Sequence, residues 1–587
     1  MKRLLFFLTF FGCLASIALP EASAQVVFWQ KYQGTESFEK GRNILYRPDG
    51  TLIITSEILT GGVDSGQPRS YDVRVIKYST QGKIFWERNL GGSGHDHITK
   101  VIETRESGIM LIGTTESHDG DISANRGGTD IWVTSLSPTG QVRWSRTFGG
   151  SGDDRGTAIL ETRNGDIWIG GESSSPNGDM KSLHHGGLDS WIARLSAEGR
   201  LLWERHYGSG GNEQVRGLHE RPDGRIMALH TSDKAGQDVQ VNLGRSDVWA
   251  TILEEDGEIG WQANFGGTDN DLIETSYMHP DGSLILGGTT FSADVHIDKQ
   301  QGLGDGWLLR LDPSGGVVWS RTFGGRRPEG VTDIKPTSDG GYIWCGLTQT
   351  RTGEGDIVVN AGYYDGWIGK IGADGTMDWM RTHGFVGKDV FESVVELPMG
   401  GFVVLGYSIM GQKEALRPGH RGMGDIWLVN LGDPRRLGVR PFVTPPLLLG
   451  SVRDKDTGRP VSGTVTLIDN KTMDSIATAI TNPDDGSFIL LLPAYGLVSL
   501  SVQAKGYLFF GQNIKMDSVI KRTSLSKNIL LESIRIGSSL VLENIFFETG
   551  KWDLLPPSIP EMDRMVAFLE LNPRVQIQVS GHTDNTG

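Results

Sequence analysis

Short runs of alternating apolar and polar residues dominate the chain from residue 25 to residue 432, and they predict β-strands. The segment 130–150 shows the pattern most clearly. Trp132–Leu136 alternates, Ser137–Gly140 has the composition of a turn, and Val142–Phe148 alternates again. This segment therefore predicts a β-hairpin.

The hairpin pattern recurs with a fixed period of 58 to 60 residues, which is typical of a repeat architecture. Six copies contain an Asp-x-Trp sequence, and a second Trp follows the repeated Asp by 14 residues at six places. The Asp positions are Asp130, Asp189, Asp247, Asp305, Asp365 and Asp425, and Asp72 begins a degenerate first copy. The second Trp positions are Trp86, Trp144, Trp203, Trp261, Trp319 and Trp379.

Each period contains four strand-like runs, which is the pattern of a β-propeller blade. In one copy the runs are 156–162, 166–171, 190–195 and 201–207. The last copy lacks its fourth run, and the N-terminal run Phe28–Tyr32 matches only that missing strand. We therefore predict a seven-bladed β-propeller over residues 25–432, closed by pairing between its two ends. The repeated Trp residues are interpreted as packing residues between blades, with a sugar or cofactor role as the alternative.

A carboxylate recurs five residues after the first Gly of each Phe-Gly-Gly turn, where the innermost strand begins. Two interpretations are open. The carboxylates either accept hydrogen bonds from backbone N–H groups of nearby turns or form an acidic ring at a channel mouth that binds a cation or a cationic peptide. The residues are Asp96, Asp154, Glu213, Asp271, Glu329 and Asp389, while the remaining copy has Phe38 at this position and Glu39 beside it.

The loops between the second and third strands are long and rich in Gly and Asp, as in Asp119–Gly128. Such oxygen-rich loops are compatible with a Ca²⁺ site, although the EF-hand spacing and its closing Glu are absent. No metal site or other cofactor is otherwise expected. These loops vary most between copies, so we expect a partner surface there.

The N-terminus has the layout of a signal peptide: Lys2-Arg3, an apolar run from Leu4 to Leu19, and Ala22-Ser23-Ala24 before the expected cleavage after residue 24. Lipidation of Cys13 is an alternative processing route. The only other cysteine is Cys345, so no disulfide is expected in the mature chain. No later run is long and apolar enough to predict a transmembrane helix. The net charge of −15 argues against nucleic acid as a partner.

Residues 433–446 are rich in Pro and Arg and predict a stiff linker. Residues 447–534 alternate strand runs with Asp/Gly turns, as in Gly450–Asp469, Thr481–Phe488 and Ser499–Tyr507. This segment resembles the carboxypeptidase regulatory-like domain, which implies a transthyretin-like β-sandwich acting as a spacer or docking module. It contains no set of His and Glu that would ligate zinc, so no peptidase activity is expected.

Residues 538–587 predict a strand, a helix and a second strand. The strands are expected at Leu540–Phe547 and Val575–Ser580, and Ser558–Glu561 has the form of a capping box. The predicted apolar face of the helix contains Ile559, Met562, Met565, Val566 and Leu569. With Asn544–Gly550 and Gly581–Gly587, the segment resembles the start of the OmpA-like peptidoglycan-binding domain.

That resemblance implies that Asp584, with Thr583 and Gly581, contributes to a peptidoglycan site. In the family, the Asp receives the ammonium group of diaminopimelate and a later Arg pairs with its carboxylate. The sequence ends three residues after Asp584, before any such Arg. The expectation is that this partial α/β domain binds peptidoglycan weakly or not at all, and that a complete domain binds it.

The sequence therefore predicts a mainly β, non-enzymatic cell-envelope protein, exported to the periplasm and associated with the outer membrane. The OmpA-like segment would anchor it to peptidoglycan, and the propeller would dock an unknown envelope protein. Two alternatives stay open: a glycan-binding or glycan-processing propeller, and a component of a secretion machinery anchored to the wall. The histidines, such as His184-His185 and His95/His97, form no evident catalytic set in the sequence.

Overall fold

The computed structural model describes residues 26–35, 37–62, 67–79, 83–384, 387–398, 400–409, 424–432, 447–469, 475–492, 496–516, 524–539, 542, 545 and 558–579. The predicted signal peptide, the linker at 433–446 and the predicted site residues Gly581, Thr583 and Asp584 lie outside these residues.

The described part of the chain is mainly β, and its strands up to residue 432 form seven four-stranded antiparallel sheets. Sheets 1 and 2 contain β2 (Glu39–Tyr46), β3 (Thr51–Gly62), β4 (Gln67–Ser79) and β5 (Ile84–Leu90), then β6 (Asp96–Glu103), β7 (Ile109–Thr115), β8 (Asp130–Leu136) and β9 (Val142–Phe148). Sheets 3 and 4 contain β10 (Asp154–Glu161), β11 (Ile167–Ser173), β12 (Asp189–Leu195) and β13 (Leu201–Tyr207), then β14 (Glu213–Glu220), β15 (Ile226–Ser232), β16 (Asp247–Leu253) and β17 (Ile259–Phe265). Sheets 5 and 6 contain β18 (Asp271–Met278), β19 (Leu284–Thr290), β20 (Asp305–Leu311) and β21 (Val317–Phe323), then β22 (Glu329–Pro336), β23 (Tyr342–Thr348), β24 (Asp365–Ile371) and β25 (Met377–His383). Sheet 7 contains β26 (Lys388–Glu396), β27 (Phe402–Ile409), β28 (Gly424–Gly432) and the N-terminal strand β1 (Val26–Gln33).

The two ends of this region meet in sheet 7, whose strand order is β1-β28-β27-β26. Strand β1 pairs antiparallel with β28, so that Tyr32 lies opposite Trp427. This pairing and the four strands per period were predicted from the sequence and are confirmed. The chain thus supplies the last strand of its final sheet from its own N-terminal segment.

Neighbouring sheets pack face to face in a closed cycle. The first strands of successive sheets contact one another, and β26 of sheet 7 contacts β2 of sheet 1. Apolar cores lie between adjacent sheets: Ile131 and Val133 of sheet 2, for example, share a core with Ile167, Ile169 and Trp191 of sheet 3. In sheet 2, the second and third strands are buried along their whole length, because a sheet covers them on either side.

The first strand of every sheet contains a β-bulge at the same place, three residues after the repeated carboxylate. A bulge leaves one residue without a partner and turns its side chain away from the regular alternation. The seven bulge residues are Arg42, Thr99, Thr157, Arg216, Glu274, Thr332 and Glu392.

The segment from 447 to 531 forms two further sheets with one shared core. Their strands are β29 (Leu447–Asp454), β30 (Thr464–Asp469), β31 (Ser475–Ile480), β32 (Ser487–Leu491), β33 (Gly496–Gln503), β34 (Phe510–Met516) and β35 (Ser524–Leu531). The sheet orders are β32-β29-β35 and β31-β30-β33-β34. Val452 and Ile529 of the first sheet pack with Val465 and Leu500 of the second.

The helix α1 (Ile559–Leu571) forms as predicted, but it buries a different face. Glu561, Arg564 and Phe568 are buried, whereas Val566 is 52% exposed. The helix packs on the preceding β unit, where the rings of Phe568 and Phe509 lie 5.7 Å apart. That packing, rather than hydropathy alone, selects the buried face.

Two local predictions near this helix are wrong. Ser558 has helical backbone angles rather than the extended geometry of an N-cap. Residues 575–579 form no strand, because no described segment pairs with them. No helix within the described ranges is both long and apolar enough to cross a bilayer.

Candidate functional site

The repeated carboxylates occur as pairs around a glycine of the Phe-Gly-Gly turn. Asp130 of sheet 2 and Asp154 of sheet 3 lie on either side of Gly149. A Cβ atom on Gly149 would lie 2.4 Å from Oδ1 of Asp130 and 2.9 Å from Oδ2 of Asp154. Only glycine leaves this space free, so the turn sequence and the two carboxylates depend on one another.

The two members of each pair have different surroundings. Asp154 accepts hydrogen bonds from the hydroxyl of Ser173 at 2.5 Å, the hydroxyl of Ser175 at 2.7 Å and the N–H of Gly150 at 2.8 Å. Asp130 accepts one bond through Oδ2, from the N–H of Arg126 at 3.0 Å. Its Oδ1 is buried and has no hydrogen-bond partner among the described residues.

The same arrangement recurs around the cycle, and it corrects the register of the first copy. In sheet 1 the carboxylate is Glu39, which lies with Asp425 around Gly34, and not the Phe38 position. Gln33 lies opposite Ile426 of β28 as Phe148 lies opposite Ile131 of β8, so the repeat aligns Gln33, and not Tyr32, with Phe148. The unpartnered Oδ1 atoms of the Asp-x-Trp series belong to Asp72, Asp130, Asp189, Asp247 and Asp305.

The predicted acidic ring does not face a channel mouth. The side chains of Asp96, Asp154, Glu213, Asp271, Glu329 and Asp389 are at most 2% exposed. They hold turns and strand ends together, which is the first of the two interpretations. Burial raises the pKa of Asp130, Asp247 and Asp305 to about 6, because the charged form is poorly solvated there.

The repeated tryptophans pack within and between sheets, as predicted. The first Trp of a copy is buried, and Trp132 donates its indole N–H to Ser145 at 2.9 Å. The second Trp reaches the next sheet, where Trp86 donates to the carbonyl of Pro138 at 3.2 Å and Trp144 donates to that of Ala197 at 3.2 Å. These indoles fasten neighbouring sheets to one another.

The Gly/Asp-rich loops fold back on the same turns. The N–H groups of Asp121, Asp179 and Asp356 donate to the carbonyls of Gly91, Gly149 and Gly324, at 2.9, 3.0 and 2.8 Å. Within the described ranges, no group of three or more His, Cys, Asp or Glu side chains is placed to hold a metal ion.

The bulge residues line a central cavity of about 530 Å³. Its lining contains five basic and five acidic side chains, together with His95 and His97. Arg42 pairs with Glu57 at 2.9 Å and with Glu392 at 3.4 Å, and Arg216 lies 3.6 Å from Glu274. The ring of bulge residues thus carries two Arg, two Glu and three Thr, and its formal charges cancel.

The first strands of the sheets begin at one end of this cavity, and we call that end the mouth. Here His97 of sheet 2 hydrogen-bonds Glu57 at 3.1 Å. Although burial opposes it, His97 and Arg42 lower the pKa of Glu57 to about 2. In sheet 1, Lys40 occupies the position that corresponds to His97, directly after the repeated carboxylate. Its Nζ lies 5.0 Å from the ring centroid of Tyr407, and that of Lys388 lies 5.9 Å from the same centroid.

One cluster in sheet 3 combines a serine, a histidine and a glutamate. Ser182 Oγ lies 2.8 Å from Nδ1 of His206 and 2.9 Å from Oε2 of Glu204. The hydroxyl oxygen also accepts the backbone N–H of His206, and Glu204 accepts the indole N–H of Trp191. His206 is 2% exposed, so these contacts attach the loop before β12 to β13 rather than meet a substrate.

Comparisons with known proteins assign no family. No family model matches the chain. The chain is 25% identical over 207 residues to "Regulatory protein FlaEY" of Caulobacter vibrioides, a match that covers 32% of this chain and 22% of that protein. It is 28% identical over 97 residues to an uncharacterized acyl-CoA thioester hydrolase of Buchnera aphidicola, covering 16% of this chain and 68% of that one.

Solved structures give similarly distant likenesses. The polysaccharide lyase Uly1 matches with a TM-score of 0.38 and 10% identity, over 70% of this chain and 99% of that one. A puromycin hydrolase matches with a TM-score of 0.35 and 13% identity, over 65% of this chain and 50% of that one. Similarity at this level establishes neither a shared fold nor an activity.

Sequence reasoning missed the bulge ring and the lysine pair. The bulge residues lie three positions after each repeated carboxylate, so the spacing could have located them. Their types differ from copy to copy, however, and no repeated residue marks them. Lys40 and Lys388 are far apart in the chain and meet only because sheets 7 and 1 are neighbours.

Proposed function

We propose that this chain is a non-enzymatic cell-envelope protein in which a seven-bladed β-propeller docks a protein partner. The closed cycle of seven four-stranded sheets supports a propeller, with one sheet per blade. The polar central cavity supports docking and is the observation on which the proposal rests. Its lining combines acidic, basic and hydroxyl side chains. Among the described residues that line it, no nucleophile and base are placed together to act on a substrate.

The C-terminal region supplies the anchor in this proposal. The two-sheet unit at 447–531 acts as a transthyretin-like spacer, and the segment that resembles an OmpA-like domain attaches the protein to peptidoglycan. Asp584 receives the ammonium group of the wall peptide, because a carboxylate is the matching charge. Export through the signal peptide places the protein in the periplasm, next to the outer membrane.

Sedimentation with purified sacculi tests the anchor. The protein expressed from its natural gene is compared with its Asp584→Asn variant and with Asp484→Asn, an exposed turn residue of the two-sheet unit. We expect retention of the natural protein and of Asp484→Asn, and a loss of at least tenfold for Asp584→Asn. Equal retention of all three proteins would contradict the anchoring role.

A further inference from the structure

We propose that Lys40 and Lys388, at the mouth of the central cavity, bind a carboxylate of an acidic peptide segment. This inference deepens the docking role of the propeller and rests on it. It names the chemistry of the docked partner: a loop or terminus rich in Asp and Glu.

Among the described residues, neither lysine has an acidic partner in direct contact, although Glu57 and Glu392 attract Lys40 at longer range. Neither forms an ion pair among the described residues, because the nearby carboxylates of Glu57 and Glu392 are taken up by Arg42. Both ammonium groups instead approach Tyr407, and Lys388 also lies 4.8 Å from the ring centroid of Tyr364. Burial, followed by repulsion from Arg42, lowers the pKa of Lys40. A bound anion would offset both effects.

The equivalent positions of the next two sheets also carry basic side chains, although these are paired, His97 with Glu57 and Arg155 with Glu172 at 3.0 Å. The residue after the repeated carboxylate is Lys40 in sheet 1, His97 in sheet 2 and Arg155 in sheet 3. The corresponding residues of sheets 4 and 5 are Gln214 and Leu272, which carry no charge. In a protein with a net charge of −15, a local basic site directs an acidic partner to this side of the mouth.

The aromatic residues at the mouth favour a peptide over an acidic glycan. Sugar sites commonly present open aromatic faces, whereas Tyr407 and Tyr364 face lysine ammonium groups here. Tyr71 is enclosed by other rings, at centroid distances of 6.4 Å to Phe38, 5.7 Å to His95 and 5.6 Å to His97. In the cavity, the Nε–H groups of Arg42 and Arg216 have no hydrogen-bond partner among the described residues and can donate to the carbonyls of a peptide backbone.

Fluorescence anisotropy with a labelled octaglutamate peptide tests the site directly. The purified protein is compared with Lys40→Gln, Lys388→Gln, the double variant and the charge-conserving Lys40→Arg. Lys83→Gln is the matched control, because the ammonium group of Lys83 also lies over a ring, 5.8 Å from the centroid of Phe85, but at an exposed position just before the outer strand β5. Octaglutamine and trigalacturonate serve as competitor probes, and thermal melts verify that each variant is folded.

We expect octaglutamate binding that weakens with added salt, at least a tenfold loss in the double variant, and near-normal binding by Lys40→Arg and Lys83→Gln. Equal binding of octaglutamine, or an equal loss in Lys83→Gln, would overturn the proposal. If trigalacturonate binds more tightly than octaglutamate and its binding depends on the lysines, the ligand is an acidic glycan and the peptide proposal is overturned. The sacculus experiment does not involve this mouth, so the two tests fail independently.

Discussion

At the scale of single residues, a glycine and two carboxylates define each junction between neighbouring sheets. The glycine is needed because both carboxylates occupy the space of a side chain, as Asp130 and Asp154 do beside Gly149. At the Gly149 junction, Asp154 accepts three hydrogen bonds, whereas Asp130 keeps a buried Oδ1 that has no partner among the described residues. A buried oxygen of this kind destabilises the charged form and leaves a measurable dependence on pH.

The space beside Gly149 gives the first prediction. Gly149→Ala places a Cβ atom against both carboxylates, so we expect the free energy of unfolding to fall by about 1–3 kcal/mol. Gly210→Ala is the matched control, because its nearest neighbour would be the flexible ammonium group of Lys234 at 3.4 Å. We expect it to change stability by no more than about 0.5 kcal/mol. Urea denaturation measures both, and equal effects would show that the space is not restrictive.

The two members of a carboxylate pair should respond oppositely to neutralisation. Asp154→Asn replaces a carboxylate that accepts three hydrogen bonds by an amide, so we expect the free energy of unfolding to fall by about 2–3 kcal/mol. Asp130→Asn removes a buried charge, so we expect a gain of about 1–2 kcal/mol at pH 8.

The pH dependence of the Asp130→Asn effect follows from the pKa of about 6 in the folded protein, above the ordinary value of 3.8. The folded state keeps a proton between these values that the unfolded state has lost. The contribution to stability is therefore complete below pH 4 and is lost as pH rises through 6. The gain from Asp130→Asn should shrink towards pH 4.5. A gain that is constant between pH 4.5 and pH 8 would contradict this assignment.

At the scale of elements, the strands are held by side chains that bridge sheets. His230 of β15 lies between Ser190 of β12, at 2.8 Å, and Thr251 of β16, at 3.1 Å. The centroid of its ring lies 4.5 Å from that of Trp249, with the two planes tilted by 33°. The imidazole is fully buried, so it joins sheets 3 and 4 in its neutral form.

His230 should make these sheets sensitive to acid. Burial lowers its pKa to about 3, from an ordinary value of 6.5. Below pH 6.5 the unfolded chain gains a proton that the folded protein does not accept, so this residue costs about 2 kcal/mol of stability between pH 6.5 and pH 5. His230→Gln should lose less stability over that range than the wild-type protein. Parallel curves of unfolding free energy against pH for the two proteins would exclude this role.

At the scale of the whole molecule, one strand completes the cycle of sheets. Strand β1 is the outer strand of sheet 7 and comes from the opposite end of the region from its partner β28. Without β1, β28 becomes the edge strand of sheet 7, and the first and last sheets lose the segment that links them.

Removal of Val26–Gln33 tests this closure. We expect Tm to fall by roughly 5–10 °C, because a full strand of pairing is lost. A synthetic peptide with the sequence of Val26–Gln33 should restore Tm when added in excess, since ligands of the folded state stabilise it. A scrambled peptide of the same composition should not. An unchanged Tm after removal would show that β1 does not fasten the cycle.

The sequence by itself determined the period, the four strands per copy and the pairing of the two ends. These features depend on local alternation, on turn residues and on repetition, all of which are visible along the chain. The same repetition indicated that the Trp residues pack the sheets. It also placed the carboxylates at the start of the first strands, although not their surroundings.

Only the tertiary structure decided what those side chains face. A carboxylate that looked like part of an open ring is buried, because the turn of the neighbouring sheet encloses it. The face that α1 buries was decided by the unit on which it packs. The mouth of the cavity, with Lys40 beside Lys388, depends on the contact between the first and last sheets. Contacts between distant segments leave no periodic trace in the sequence, so the packed structure was needed to locate them.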